Sequence, residues 1–199
     1  MNGQIVIFNG APRSGKSSIA RALQALPDSR WINLGVDAQN AILPQSLRPG
    51  IGLRPGGERP DLEPAVVALY LALYQSIAAH ARAGFDVVVD VGHHDVYSHP
   101  LGILPQCARL LAGLDVLFVG VHCPLNVIMA RRNADPHGGL YAHGPGIPAP
   151  VQRWQDAVHM PGIYDLMVDT GTMTSDDCVT AIASALDHPK TAFEHLAAL

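Results

Sequence analysis

Residues 10–17 restrict what this chain can fold into more than any other segment. They read GAPRSGKS and match the pattern G-x-x-x-x-G-K-[ST] in full. The apolar run from Gln4 to Phe8 precedes them and predicts a buried strand, and a helix is predicted from Lys16 to about Leu26. In that context the glycines let successive backbone N–H groups surround a phosphate at a helix N-terminus. The segment therefore predicts a site for a nucleoside triphosphate.

Individual positions of this phosphate loop have separate chemical roles. Lys16 is placed to reach the β- and γ-phosphates, and the Ser17 hydroxyl is placed to ligate Mg²⁺. The loop after the fifth predicted strand, residues 170–172, is expected to hold the base of the nucleotide through backbone groups. The residues expected to bind ATP are Gly10, Ala11, Pro12, Arg13, Ser14, Gly15, Lys16, Ser17, Ser18 and Thr172.

Apolar runs alternate with helical segments along the rest of the chain. Further strands are predicted at 31–36, 85–91, 114–123 and 166–169. Helices are predicted at 62–83, 101–112, 124–133, 175–186 (capped by Ser175 or Asp176) and 190–199. Strands this apolar, separated by helices, indicate an α/β fold whose five-stranded parallel sheet carries helices on both faces. Residues 1–199 are expected to form one domain.

Two stretches interrupt this alternation. Residues 44–64 and 134–150 are rich in proline and glycine. Loops this long in a compact domain are usually functional or mobile, so we expect 134–150 to form a mobile lid. Arg131 and Arg132 end the helix before it and would reach the transferring phosphoryl group or the adenine ring. The alternative is that both are solvated cations at a helix C-terminus.

Asp37 and Asp90 are predicted to end two consecutive strands. Asp90 follows Val89, where a carboxylate holds Mg²⁺ beside a phosphate loop. Asp37 follows Val36, where a carboxylate can accept the proton of an attacking hydroxyl. Each carboxylate also has the alternative of capping a helix. The residue pattern alone leaves the two catalytic roles exchangeable.

The segment 93–99 contains three histidines and an aspartate. This composition resembles a zinc site, but ligands from a second segment do not accompany it. The remaining interpretations are a solvated loop and a set of polar groups lining an acceptor pocket, because the segment follows Asp90 at the carboxyl end of a strand.

Composition limits the classes of partner. With 13 basic and 17 acidic residues the net charge is −4, so no global positive field is available for nucleic acid. The three cysteines form no CxxC pair, which suits a reducing compartment. The uncharged run 64–81 is predicted as a buried helix rather than a membrane span, and the N-terminus shows no signal peptide. We expect a cytoplasmic protein with no membrane or nucleic-acid partner; homo-oligomer formation stays open.

The sequence resembles chloramphenicol phosphotransferase and its relatives over nearly the whole chain, in order and with similar spacing. Beside the phosphate loop, which many families share, the more specific parts are Gly35-Val36-Asp37 and the segment from His159 through Tyr164 to Thr170. The resemblance implies a P-loop kinase fold and ATP-dependent phosphorylation of a hydroxyl on a small molecule, commonly an antibiotic. It also implies that Asp37 is the catalytic base and that the loop at about 44–64 covers the acceptor.

The sequence departs from that family in the parts that would set acceptor specificity. Residues 134–148 contain no arginine, only His137 and His143, and a histidine-rich segment follows Asp90. A metabolite or nucleotide-sugar kinase on the same fold is therefore an alternative. A non-catalytic nucleotide-dependent switch is a second one, although the chain has no Asn/Thr-Lys-x-Asp guanine motif.

Overall fold

A five-stranded parallel sheet forms the centre of the computed structural model, which describes residues 1–134 and 146–199. Its spatial order is β2-β3-β1-β4-β5, so β1 lies in the middle, where Ile5 pairs with Val87 on one side and Val116 on the other. The predicted α/β architecture with five parallel strands is confirmed. The strands are β1 (Ile5–Asn9), β2 (Trp31–Asn33), β3 (Asp86–Val91), β4 (Val116–His122) and β5 (Leu166–Asp169).

Helices cover both faces of this sheet. They are α1 (Lys16–Gln24), α2 (Val36–Ile42), α3 (Glu63–Arg82), α4 (Ile103–Leu110), α5 (Leu125–Ala134), α6 (Ala149–Ala157), α7 (Ser175–Leu186) and α8 (Ala192–Ala197). Two short 3-10 turns, Gln45–Leu47 and Gly50–Gly52, lie between α2 and α3. Because successive side chains of a strand point to opposite faces, Ile5 and Ile7 pack in the layer of α3, α4 and α8. Val6 and Phe8 pack in the layer of α1 and α7.

Helix α3 is long and apolar enough to cross a membrane by length and composition. Its side chains at three- and four-residue spacing, such as Val66, Tyr70 and Leu73, are buried in the core against the sheet. Burial of each such side chain contributes roughly 1.5–3 kcal/mol to folding. The helix thus lies in the core of the fold, as the sequence predicts.

Several boundaries differ from the sequence prediction. The N-cap of α7 is Thr174, not Ser175 or Asp176, because the Thr174 hydroxyl accepts from Asp177 N and the Asp177 carboxylate accepts from Thr174 N in a capping box. The helix α6 was not predicted at all. Prolines stand at Pro148 and Pro150, but the first turn of a helix tolerates proline because its N–H groups have no intrahelical acceptor.

The predicted lid at 134–150 falls mainly on residues 135–145, which lie outside the described residues, as do His137 and His143. At its two ends the structure shows helix instead. Ala134 is the last residue of α5, and α6 begins at Ala149.

Candidate active site

The phosphate loop connects β1 to α1 through a backbone turn that only some residues adopt. Arg13 and Gly15 both have positive φ, 66° and 97°. At Gly15 a Cβ would also lie 3.3 Å from the Thr170 side chain and 3.4 Å from Arg131. Glycine therefore suits this position both because φ is positive and because there is little room for a side chain. This turn directs the loop around the N-terminus of α1, as a phosphate site requires.

Lys16, the first residue of α1, folds back over this loop. Its ammonium donates to the carbonyl oxygens of Gly10 at 2.7 Å and Ala11 at 2.9 Å. Burial lowers the pKa of Lys16 to about 8, and the carboxylates of Asp90 and Asp37 oppose that shift. An anion entering the loop would favour the charged form of this ammonium, so the side chain is placed for phosphate.

Ser17 and Asp90 bring two oxygen donors together beside the loop. The Ser17 hydroxyl donates to Asp90 Oδ2 at 2.7 Å. Asp90 lies in β3 and is 7% exposed, and the close approach of Gly35 holds it there, since a Cβ on Gly35 would lie 1.6 Å from Asp90 Oδ1. Mg²⁺ prefers oxygen ligands and commonly takes one or two from the protein, with water and phosphate completing its shell. This pair of side chains fits that requirement.

Asp37 does not end a strand, and that part of the prediction is wrong. Strand β2 stops at Asn33, whose side-chain oxygen accepts from Gly35 N at 2.9 Å and turns the chain. Helix α2 then begins at Val36, which places Asp37 in its first turn. Gly35, not Asp37, is the N-cap residue of α2. The carboxylate nevertheless faces the site, because it lines both cavities described next.

Two cavities meet over the phosphate loop and share Arg13, Lys16, Ser17 and Asp37. The first, of about 580 Å³, is called here the loop cavity, and its other lining residues are Gly15, Ser18, Arg21, Arg131, Thr170, Met173, Thr174 and Ser175. The second, of about 880 Å³, is called the adjoining cavity. Its other lining residues are Gly10, Pro12, Val36, Pro49, Ile51, Gly52, Leu53, Arg54, Glu58, Arg59, Asp90, Val91, Gly92 and Trp154.

The two arginines at the end of α5 have different surroundings. Arg131 donates to the Thr170 hydroxyl at 3.1 Å, to the Thr170 carbonyl at 2.8 Å and to the Arg13 carbonyl at 3.1 Å, so its guanidinium lies at the edge of the loop cavity. Arg132 is 3% exposed and lines neither cavity. Consecutive helix positions point in different directions, and the structure brings only the first of them to the site. Neither is a solvated surface cation.

The remaining predicted nucleotide residues divide between the cavities and the loop interior. Gly10 and Pro12 line the adjoining cavity, and Ser18 lines the loop cavity. Ala11 and Ser14 are buried positions within the phosphate loop itself. Thr172 is exposed and lines neither cavity, whereas Thr170 of the same turn does, and its hydroxyl donates to Ser14 O at 2.6 Å. The sequence pattern identified the turn but not the residue that faces inward.

The histidine-rich segment has a structural part in the fold. His93 is buried, bonds Tyr74 at 2.8 Å and stacks on Tyr70, and burial lowers the pKa of His93 to about 3. His94 bonds Leu53 O at 2.9 Å, and Asp95 accepts from two backbone N–H groups ahead of α4. Within residues 1–134 and 146–199 no group of three metal-binding side chains occurs. Of the described positions 92–99, Gly92 alone lines the adjoining cavity.

Sequence reasoning missed several residues around the adjoining cavity. Trp154 on α6 lines it and packs against Gly92, where a Cβ would lie 2.9 Å from the indole. Arg54, Glu58 and Arg59 reach it from the 44–64 loop. The richness of that loop in proline and glycine was a signal for its importance, but no local pattern indicated Trp154.

A parallel sheet in the order β2-β3-β1-β4-β5, with a phosphate loop after its central strand and the Asp90 carboxylate near the end of the neighbouring strand β3, defines a P-loop kinase fold. The chain belongs to the chloramphenicol phosphotransferase-like protein family, whose sequence profile matches residues 3–187. It is thus an ATP-dependent kinase of small molecules. No curated protein sequence matches it.

Solved structures with the same fold include small-molecule kinases. A Mycobacterium tuberculosis APS kinase in complex with AMPPNP and APS is 21% identical with a TM-score of 0.61, covering 94% of this chain and 99% of that one. A tunicamycin resistance protein from Deinococcus radiodurans is 19% identical (TM-score 0.58, 94% and 98% covered). Shikimate kinase from Acinetobacter baumannii in complex with shikimate is 13% identical (TM-score 0.58, 92% and 92% covered). At these identities the similarity establishes the fold.

Proposed function

We propose that this protein transfers the γ-phosphoryl group of Mg·ATP to a hydroxyl of a small, partly apolar natural product, antibiotics included. One observation carries the proposal: the loop cavity and the adjoining cavity meet at Lys16, Ser17 and Asp37. A nucleotide in the first and an alcohol in the second would therefore place the terminal phosphoryl group beside the hydroxyl. Such positioning is the main requirement for phosphoryl transfer.

The residues at this junction have complementary roles in the proposal. The acceptor oxygen forms a bond to the γ-phosphorus while the bond from that phosphorus to the bridging oxygen of ADP breaks. Asp37 accepts the proton of the hydroxyl, and Lys16 and Arg131 neutralise charge on the phosphates. Ser17 and Asp90 would hold Mg²⁺, which when bound neutralises charge on the phosphate oxygens.

The walls of the adjoining cavity favour an acceptor with an apolar, ring-sized part. Val36, Ile51, Leu53 and Trp154 give this cavity an apolar part of its lining, beside its charged residues. Burying such a surface against a highly hydroxylated sugar leaves hydroxyl groups without partners, which costs binding energy. Metabolite kinases such as shikimate kinase and a gluconokinase from Sinorhizobium meliloti share the fold, so a polar metabolite is the competing acceptor class. A cytoplasmic location, where ATP is available, completes the proposal.

A library experiment tests the proposal directly. The protein is incubated with Mg·ATP and hydroxyl compounds ranging from aromatic and macrocyclic antibiotics to sugars, and products are detected by mass spectrometry. We expect products heavier by about 80 Da, the mass of one added phosphoryl group, on ring-bearing alcohols, and none with Lys16→Ala. Products on sugars or sugar nucleotides alone would favour the metabolite kinase. ATP binding without any product would favour the nucleotide-dependent switch.

A further inference from the structure

A cluster of three charged side chains joins the 44–64 loop to α6. Glu58 Oε1 accepts from Arg153 of α6 at 2.6 Å, and Glu58 Oε2 accepts from Arg54 Nε at 2.7 Å. The arginines on both sides hold the pKa of the Glu58 carboxyl below its usual range. One carboxylate thus links two arginines from separate parts of the chain. We call these three residues the Glu58 clasp.

The backbone of the loop is shaped to receive Arg153. Gly56 has a φ of 126°, and a Cβ there would lie 2.3 Å from Arg153 Nη1. Gly57 also has positive φ and lies against Ser98, while Gly56 N donates to Val96 O at 2.8 Å. Two glycines in the left-handed region therefore make room for the guanidinium and fix the turn to the segment after β3. Such fitting distinguishes the Glu58 clasp from an incidental surface ion pair.

The Glu58 clasp stands at the rim of the adjoining cavity. Arg54 and Glu58 line that cavity, and Trp154, the neighbour of Arg153 on α6, lines it from the other side. Trp154 is 8% exposed, and its ring lies edge-on to His94. Trp154 also packs in an apolar cluster with Ala11 and Cys123, so releasing Arg153 would leave α6 in place and free the loop to move away from the indole.

We propose that Glu58 is a positioning residue for the acceptor, because it holds the 44–64 loop against α6 and so closes the outer wall of the adjoining cavity. The inference rests on the proposed function in assigning that cavity to the acceptor. A partly exposed ion cluster contributes only modestly to stability. Because little free energy opposes the opening of a surface loop, even a modest contribution changes the fraction of molecules in which the loop is open.

Tryptophan fluorescence tests the closed wall without any acceptor. The chain has two tryptophans, so the Trp31→Phe variant reports on Trp154 alone, with acrylamide as a neutral quencher. In that background we expect Glu58→Gln and Arg153→Gln each to raise the quenching constant about twofold or more, and the double variant to add nothing further. Asp115→Asn, which removes the carboxylate of the ion pair with Lys190, is the matched control and should leave it unchanged.

Salt gives a second measurement, because it weakens the ion pairs of the Glu58 clasp in the Trp31→Phe protein itself. At 1 M NaCl, where the screening length is about 3 Å, quenching of Trp31→Phe should rise to the level of Glu58→Gln, and Glu58→Gln should not respond. Equal quenching in all variants and at all salt concentrations would overturn the closed wall. If Glu58→Gln failed to fold, unchanged quenching of Trp31→Phe at 1 M NaCl would overturn it.

Kinetics separate a positioning role from a purely structural one. With the alcohol identified in the library experiment, Glu58→Gln should raise its KM about fivefold or more while kcat and the KM for ATP stay unchanged. An equal loss in both KM values would contradict a role confined to the acceptor. If no alcohol is phosphorylated, the proposed function fails, and the quenching measurements still decide whether the Glu58 clasp closes the wall.

Discussion

At the scale of single residues, the carboxylates of Asp37 and Asp90 both lie near the Lys16 ammonium, but their surroundings differ. Asp90 is buried, accepts from Ser17 and lies against Gly35. Asp37 stands in the first turn of α2 and lines both cavities. The more open carboxylate can receive a proton from an acceptor, and the enclosed one can share a metal with the Ser17 hydroxyl. These surroundings favour the assignment that the family resemblance implied.

Substitution of the two carboxylates should therefore give different kinetics. Asp37→Asn should lower the rate of phosphoryl transfer about 10²- to 10⁴-fold and leave ATP affinity nearly unchanged, because the amide keeps the shape but cannot accept the proton. Asp90→Asn should raise the Mg²⁺ requirement, and added Mg²⁺ should restore part of the activity. Steady-state rates over a Mg²⁺ series make the comparison. A nearly active Asp37→Asn beside an Asp90→Asn that is inactive at every Mg²⁺ concentration would mean the roles are reversed.

Lys16 should make stability depend on alkaline pH. Because burial lowers its pKa to about 8, below the ordinary 10.5, the unfolded chain binds more protons than the folded one between those values. The penalty for burying the charge is present below pH 8 and is relieved as the pH rises toward 10.5, so the Lys16 contribution to folding stability increases over that range. Denaturant unfolding at several pH values should show this rise relative to Lys16→Met. If the free energy of unfolding changed with pH in the same way for both proteins, the lowered pKa of Lys16 would be contradicted.

At the scale of elements, the connection from β2 to α2 decides where both carboxylates lie. The turn at Asn33 ends the strand early and brings Gly35 against Asp90. The sequence predicts that a strand carries the chain to Asp37, because the run from Trp31 to Val36 is mostly apolar and only Asn33 and Gly35 indicate a turn. The hydrogen bond that the Asn33 side chain accepts from the backbone N–H two residues later ends the strand despite the apolar pattern.

Gly35→Ala tests this element. The added Cβ would lie 1.6 Å from Asp90 Oδ1, so Asp90 or the start of α2 must move. We expect a loss of about 1–3 kcal/mol of folding stability and a raised Mg²⁺ requirement. Gly146→Ala is the control, since a Cβ there meets nothing within 4 Å among the residues that the structure describes. If Gly35→Ala changed neither the free energy of unfolding nor the Mg²⁺ dependence of activity, Gly35 and Asp90 would not be as close as described.

At the scale of the whole molecule, Asn9 connects distant parts of the chain beneath the phosphate loop. Its amide donates to Val158 O at 2.8 Å and to the Tyr164 hydroxyl at 2.9 Å, and its oxygen accepts from His93 N at 2.6 Å. These bonds join β1 to the segment after β3 and to the connection between α6 and β5. The residue is 1% exposed, so water does not replace them.

Asn9→Ala should therefore destabilise the whole fold. His93 N loses the acceptor of its bond, whereas the Tyr164 hydroxyl keeps His159 Nδ1 at 2.9 Å. Because a buried group left without a partner costs about 1–3 kcal/mol, we expect a loss of at least about 2 kcal/mol in denaturant unfolding. Tyr164→Phe removes one of the three bonds of Asn9, together with the bond between the Tyr164 hydroxyl and His159, and should cost less. A loss in Asn9→Ala no larger than that in Tyr164→Phe would mean that the other two bonds contribute little.

The sequence predicted those features that depend on local pattern. The phosphate loop, the apolar strands and the long helix α3 each carry a signature within a few residues, and the structure has all of them. Trp154, Glu58 and Arg153 gave no such signal, because their place follows from the packing of α6 against a loop almost 100 residues earlier. The different surroundings of Arg131 and Arg132 likewise depend on tertiary packing rather than on the sequence around them.

The shared floor of the two cavities has a consequence for inhibition. Lys16 and Asp37 line both cavities, so the cavities adjoin there and a single compound could reach into both. An adenosine polyphosphate tethered to a ring-bearing alcohol would deliver its second half at high effective concentration once the first half is bound. Such linkage can strengthen binding by about 10²- to 10⁴-fold when the tether matches the span between the sites. The junction between the cavities thus makes this kinase a target for bisubstrate inhibitors, with the tether length as the variable to optimise.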